Sequence, residues 1–322
     1  DDDTAAPAAP SGRGLKTRLS WLAPYAIAAL VIVFISRQYS ITAIRAEMAK
    51  GEWLPLIPLA FVTYVASLAW VAAADRTVLR GLLAEDLTPS YLAVAKGKAA
   101  AVVLHIVHYA LGQGVYATWM ARRTRLNLGQ AGGLIFYIIL AELGSVCLYA
   151  ALVIGIGRPD VPSAVFPLVL GVALAVIAAV VFLPATRSER FGFLQIWVKV
   201  GRARGLAQLG IRVGQHATTT TATWLAARWF GMDLPLAVML SYLPVILVVG
   251  SLPINVAGFG AVQGAWLLLS PWAPAERILA FSVVWQAASA LALVARGLPF
   301  LRGVLADIRE GKQSAAPTGP SD

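Results

Sequence analysis

LPLAVMLSYLPVILVVGSLPINVAGFGAVQGAWLLLSPWAPA, residues 234–275, runs for 42 residues without a charged side chain. Two more uncharged stretches, Val161–Thr186 and Trp53–Ala74, precede it. Apolar runs of about 18 residues or more are long enough to cross a bilayer. Over all 322 residues, 59% are apolar and 13% charged, against roughly 25% charged in an average soluble domain. Too little polar side chain is present to cover a water-soluble fold of this size. A soluble enzyme, a nucleic-acid-binding domain and a disordered scaffold are excluded, and no nucleic-acid partner is expected.

Working outward from 234–275, apolar segments lie near 19–36, 53–74, 99–120, 131–156, 161–183, 213–230, 234–270 and 278–300. Trp21, Trp53, Trp119, Trp229 and Trp272 stand near their ends, where aromatic side chains sit at the headgroup level. The net charge of +10 then reads as topology and attraction to anionic lipid. The single cysteine, Cys147, has no intrachain partner. The ends have the composition of disordered tails. The expected division is a basic tail 1–18, an integral membrane domain 19–302 and a tail 303–322. Within the domain, halves at 19–183 and 213–302 flank a connector at 187–212.

Basic residues orient the chain. Arg13, Lys16 and Arg18 precede the first segment, and 187–212 carries six basic residues and one acidic residue; both regions are expected in the cytoplasm. Five full crossings between them would put 187–212 outside, so one segment must return to the side it left. The segment 99–120 fits, with Lys96 and Lys98 before it, Arg122, Arg123 and Arg125 after it, and Gly112-Gln113-Gly114 at its centre. The arms 101–111 and 115–124 match a half-membrane at about 1.5 Å per residue. Segment 234–270 is broken at 251–260, where Pro253 removes a backbone donor and Gly258 and Gly260 permit turns. With both hairpins and a cytoplasmic C-terminus, 19 Lys/Arg lie inside and 6 outside, with Arg296 in the membrane. The expected fold is an all-α polytopic membrane protein of about six full spans plus two re-entrant, broken helical hairpins in an inverted-repeat-like arrangement.

Within the apolar segments a few polar groups remain. Glu142 reads as the one acid deep in a segment, and a charge there needs a protein partner; Arg296 is the nearest cation. His105 and His108, three apart before the Gly112 break, suit packing, phosphate contact or proton exchange. Nothing fixes a third metal ligand, so no metal or cofactor is expected. Thr218–Thr221 and Thr223 suit helix packing or a polar groove. In 187–212, Phe191, Phe193, Leu194, Trp197 and Val200 alternate with Arg190, Lys199, Arg202 and Arg204. That pattern reads as a surface helix with its apolar face in lipid and its basic groups at phosphates. No nucleophile elbow, zinc-protease, paired-cysteine or P-loop motif is found, so an enzyme is not expected.

The motif Ser251–Trp266, SLPINVAGFGAVQGAW, resembles that of the flippase-like membrane domain family, also called the lysylphosphatidylglycerol synthase transmembrane region. Leu252, Pro253, Gly258 and Gly260 match its L-P-x-x-x-x-G-x-G pattern, and Gln263 stands near its usual Glu. Glu142 and Arg296 are compatible with a mid-chain carboxylate and a last-span Arg of that family. Its earlier Pro/Gly/Arg motif has no clear counterpart in ALGQGVYATW. The resemblance implies a lipid flippase or a membrane part of a lipid-modifying system. With the chain ending soon after Arg309, it implies the version without a cytosolic aminoacyl-transfer domain.

Together these readings give a multi-pass cell-membrane protein with both termini cytoplasmic, moving a phospholipid or lipid-linked headgroup. The candidate lipid-binding residues are His105, His108, Gly112, Gln113, Gly114, Glu142, Pro253, Asn255, Gly258, Gly260, Gln263 and Arg296. Its expected partner is an anionic lipid or lipid-linked phosphate, with a second copy or a lipid-biosynthesis protein also compatible. The alternative is a non-transporting component or an intramembrane transferase of a lipid or glycan assembly pathway.

Overall fold

A computed structural model describes residues 13–157, 165–185, 194–251 and 259–313. Among these it is helical throughout, with eleven α-helices: α1 (Arg13–Gln38), α2 (Ile41–Lys50), α3 (Leu56–Leu82), α4 (Tyr91–Val107), α5 (Tyr109–Thr124), α6 (Leu128–Gly157), α7 (Val165–Phe182), α8 (Leu194–Trp229), α9 (Leu236–Ser251), α10 (Ala261–Trp266) and α11 (Ala275–Gln313). Four helical stretches (Leu56–Leu82, Glu85–Val107, Leu128–Ile156 and Ala275–Glu310) are long and apolar enough to cross a membrane. A fifth candidate is the pair α1 and α2, bent by 91° between Gln38 and Ile41. Among the described residues, four or five candidates by length and composition thus stand against the six full spans expected from hydropathy.

The bundle is organised around α3 and α8. Trp70 Nε1 donates to Thr218 Oγ1 at 3.1 Å, Asp75 meets Arg212, and Gly81 meets Val200. These pairs ascend on one helix and descend on the other, so the two are antiparallel. The approach at Gly81 is backbone to side-chain-free backbone: a Cβ there would fall 2.8 Å from the Val200 Cα. α6 runs parallel to α8, with Glu142 on Arg212 and Ser145 on His216. α7 packs antiparallel on α6 through Val176 on Gly144. One core joins the C-terminal half of α3 with α4, α5, α6 and the first part of α8, around Trp119, Tyr137, Trp197 and Val200. A second joins the N-terminal half of α3 with the end of α8, α9, α10 and the start of α11, around Leu56, Phe230, Tyr242 and Phe281.

Two helix pairs, α4 with α5 and α9 with α10, have their outer ends at opposite ends of this bundle. α4 and α5 are antiparallel: the Trp119 ring lies against Gly97, Lys98 sits 4.7 Å from the centre of the Tyr116 ring, and Gly112 abuts the Ala101 carbonyl. Their open end lies beside the C-terminal part of α11, where Arg123 and Trp119 reach Asp307 and Lys96 lies over Phe300. α9 and α10 approach each other where Val262 meets Gly250, and their outer ends lie in the core with Leu56 and Ile278, at the N-terminal ends of α3 and α11.

The first hairpin does not turn where the glycines predict. Gly112, Gln113 and Gly114 lie inside α5, and the break falls at His108, in extended backbone (φ −156°, ψ 129°). His108 Nδ1 accepts from the Ala110 N–H at 3.2 Å, satisfying one of the donors that a helix start leaves free. His105 and His108 therefore do not share one helical face. Gly112 is buried and works as a contact surface between the arms, not as a turn. The arms are about 25 Å long at 1.5 Å per residue, longer than the half-membrane arms expected.

The connector at 187–212 also differs from expectation from residue 194 onward. It is the first part of α8, which bends at Gly201 (φ 72°, ψ 165°) and continues through residue 229. Ile196, Trp197 and Val200 are buried in the protein core, Trp197 edge-on to Tyr137 at 4.5 Å, where a lipid-facing surface helix would expose them. Lys199, Arg202 and Arg204 are exposed around the bend; Phe191, Phe193 and Arg190 lie outside the described residues. α11 likewise continues past 302, where a tail is expected, to Gln313.

Candidate functional site

The polar face of α8 follows the helical repeat. Gln208, Arg212, His216 and Thr220 are spaced four apart and all buried, so they form one stripe facing α3 and α6. Arg212 is 1% exposed and lies between two carboxylates. Its Nη2 donates to Asp75 Oδ1 of α3 at 2.8 Å, and its Nη1 pairs with Glu142 Oε2 of α6.

Asp75 is completely buried and fully used. Its second oxygen accepts the Tyr116 hydroxyl of α5 at 3.0 Å and lies 3.4 Å from Lys98 Nζ of α4. Glu142 is the accessible member, with a side chain 30% exposed. Its Oε1 takes Gln215 Nε2 at 3.4 Å and stands 3.9 Å from His216 Nε2. The Ser145 hydroxyl donates to the Glu142 carbonyl at 2.8 Å. That leaves its oxygen to accept from His216 Nε2 at 3.1 Å, and the Tyr149 ring stacks on the imidazole at 6.2 Å. Five helices, α3, α4, α5, α6 and α8, thus contribute to one network.

With His216 neutral, two cations face two carboxylates and the cluster is balanced. It is not saturated. Among the described residues, Arg212 Nε, Gln215 Oε1 and both side-chain polar atoms of Gln208 are buried without a hydrogen-bond partner. In an apolar surround such donors and acceptors carry a desolvation cost.

The residues expected to act together are divided by the structure. Glu142 meets Arg212, Gln215 and His216 instead of His105, His108 or Arg296. Arg296 donates from Nη1 to the Tyr64 carbonyl, with its guanidinium over the Tyr64 ring at 5.6 Å. His105 lies edge-on to Tyr109 at 4.3 Å. Gln113 is half-buried and Gly114 exposed on α5.

Gly260 has φ 121° and ψ −119°, a conformation that favours glycine, and caps α10. The Gln263 side-chain oxygen accepts the Gly260 N–H at 2.6 Å, so this residue reaches back to cap the start of α10. Pro253, Asn255 and Gly258 lie outside the described residues.

Asp75, Lys98, Arg212, Gln215 and His216 escape the sequence reading. Asp75 immediately follows one apolar segment, Lys98 precedes another and Arg212 precedes a third. The signal that finds Arg212 is its four-residue step to His216 and Thr220.

The family described as Lysylphosphatidylglycerol synthase TM region matches the chain over residues 21–297. No curated protein matches it.

Proposed function

Because the chain belongs to the lysylphosphatidylglycerol synthase TM region family, a family of membrane proteins tied to lipid metabolism, we propose that it moves a phospholipid or lipid-linked headgroup between leaflets. The observation that carries this reading is the Asp75–Arg212–Glu142–Lys98 network inside an apolar bundle. Ion pairs of this kind are a poor way to hold helices together: an apolar replacement of similar volume is often neutral or stabilising. Ionisable groups kept at membrane depth mark substrate or ion paths. Here one carboxylate is partly open to the surroundings, and the arginine behind it is sealed.

The two hairpins at opposite ends support a pair of re-entrant elements of opposite entry, the layout of transporters with inverted repeats. The exposed Lys199, Arg202 and Arg204 lie at the same end as Arg123 and the C-terminal part of α11. That end is cytoplasmic in this reading and the basic groups meet phosphates there; both termini are cytoplasmic and the membrane is the cell membrane. Pro253, Asn255, Gly258 and Gly260 are assigned to the second hairpin's contact with the headgroup.

The test is leaflet-resolved lipid movement in vesicles containing the purified protein alone. Fluorescent phosphatidylglycerol in the inner leaflet should become accessible to an impermeant quencher faster than in empty vesicles, and Arg212→Gln should lose that gain. Equal rates in protein-containing and empty vesicles, with the protein shown folded, would overturn the transport reading.

A further inference from the structure

We propose that Glu142 holds, in the lipid-free protein, the place on Arg212 that a phosphate group of the transported lipid takes, and that each phosphate bound brings one proton onto Glu142. The inference rests on the transport reading above and specifies its substrate chemistry.

The geometry gives Arg212 two partners of different kind. Asp75 is sealed in the core and tied by Tyr116 and Lys98 as well. Glu142 has only weak ties besides Arg212: Gln215 at 3.4 Å and His216 at 3.9 Å. It is also the one carboxylate of the network exposed to any extent, so a group from outside can meet Arg212 at the position of its carboxylate. When that carboxylate turns aside, Nη1 of Arg212 is freed while Nη2 stays on Asp75. Guanidinium donors in a planar fork suit a phosphate as they suit a carboxylate. Gln215 Nε2 and the His216–Ser145 pair stand on the same side.

Charge balance supplies the proton. Arg212 and Lys98 against Asp75 and Glu142 sum to zero. A phosphodiester monoanion added to that set leaves it one negative charge in excess beside the sealed Asp75, which is unfavourable. Protonation of Glu142 by water-borne acid restores neutrality, and on release of the phosphate the proton leaves and the carboxylate returns to Arg212. No bond other than O–H is made or broken.

The surrounding groups leave few other acceptors for the proton. α8 presents Arg212 and His216, α3 presents Asp75 through Arg212, and α4 and α5 present Lys98 and Tyr116 beyond Asp75. α6 itself adds Tyr137, Cys147 and Tyr149, while α7 and α9 carry no charged residue. Among the described residues, Asp75 and His216 are the competitors for the proton.

The experiment is isothermal calorimetry of the purified full chain in uncharged detergent micelles. Dihexanoylphosphatidylglycerol is titrated at matched pH in two buffers of different ionisation enthalpy, and inorganic phosphate is titrated in parallel. The expected result is uptake of about one proton per lipid, with affinity falling roughly tenfold for each unit of pH rise. Glu142→Gln, whose amide imitates the protonated acid, should bind the lipid with no proton uptake and no slope with pH. Arg212→Lys should bind at least tenfold more weakly.

Lipid binding by the wild type without proton uptake overturns the exchange, and needs no variant to read. Uptake that persists in Glu142→Gln overturns the assignment to Glu142 in favour of His216 or Asp75. Binding of inorganic phosphate but not of the lipid overturns the lipid as source and keeps the exchange. Lipid movement in vesicles together with zero proton uptake refutes this inference and leaves the transport reading standing.

Discussion

Asp75 and Glu142 share one arginine, yet their neutral replacements should differ several-fold in cost. Asp75→Asn keeps the shape and can still accept the Tyr116 hydroxyl. It removes the charge that faces both Arg212 at 2.8 Å and Lys98 at 3.4 Å, with no exposure of its own. Removing one partner of a buried pair costs about 3–5 kcal/mol, because the other charge is stranded. Glu142→Gln removes the same unit of charge from the opposite side of Arg212, but that side chain is 30% exposed. Water screens what it leaves behind, and the expected cost falls to about 1 kcal/mol, the range of exposed pairs. Reversible unfolding of the two variants in mixed maltoside and dodecyl sulfate micelles, followed by tryptophan fluorescence, measures both. A Glu142→Gln loss equal to that of Asp75→Asn would show that Glu142 is as firmly anchored as Asp75. That result would refute the division into a fixed and an exchangeable partner. An Asp75→Asn variant within about 1 kcal/mol of wild type would refute the burial argument itself.

Two glycines give opposite expectations in the same unfolding assay. Gly81→Ala drives a Cβ to 2.8 Å from the Val200 Cα, which cannot move as a side-chain tip can, and should destabilise by about 1–3 kcal/mol. Gly114→Ala adds a methyl in open space on a regular helix and should be neutral or stabilising by about 0.5–1 kcal/mol; a clear loss would return the hairpin turn to the glycine triplet. Arg123→Cys and Arg204→Cys, in a Cys147→Ala background, lie at one end of the bundle. Both should react with an impermeant thiol reagent only after permeabilisation, and labelling of the two from opposite sides would break the assigned hairpin arrangement.

Much of the architecture follows from the sequence because hydrophobic length and backbone chemistry act locally. The charge-free run at 234–275 forces a membrane fold whatever its partners do. The excess of Arg and Lys at 122–125 and 187–212 calls for one segment that returns to the side it left, and at the first candidate the structure has two antiparallel helices, α4 and α5. The position of the turn was not legible. Gly112 and Gly114 have poor helix propensity, but Gly112 packs closely on Ala101 and His105 within the helix. A histidine able to cap the next helix supplies the break.

The same physics explains why most of the network stayed hidden. Hydropathy marks a segment as ending at its first charge, on the assumption that a charge seeks water. A carboxylate and a guanidinium that meet inside a bundle satisfy each other, so the helices carrying them extend beyond the apolar window. α3 continues seven residues past Asp75, and α8 begins eighteen residues before Arg212. Glu142 was legible because apolar residues surround it on both sides; Asp75, Lys98 and Arg212 were not, because each stands at a segment edge. Their pairing converts three edges into one interior. Of the two carboxylates, the one whose segment reading was right is also the one left partly open, which is the position an exchangeable partner needs.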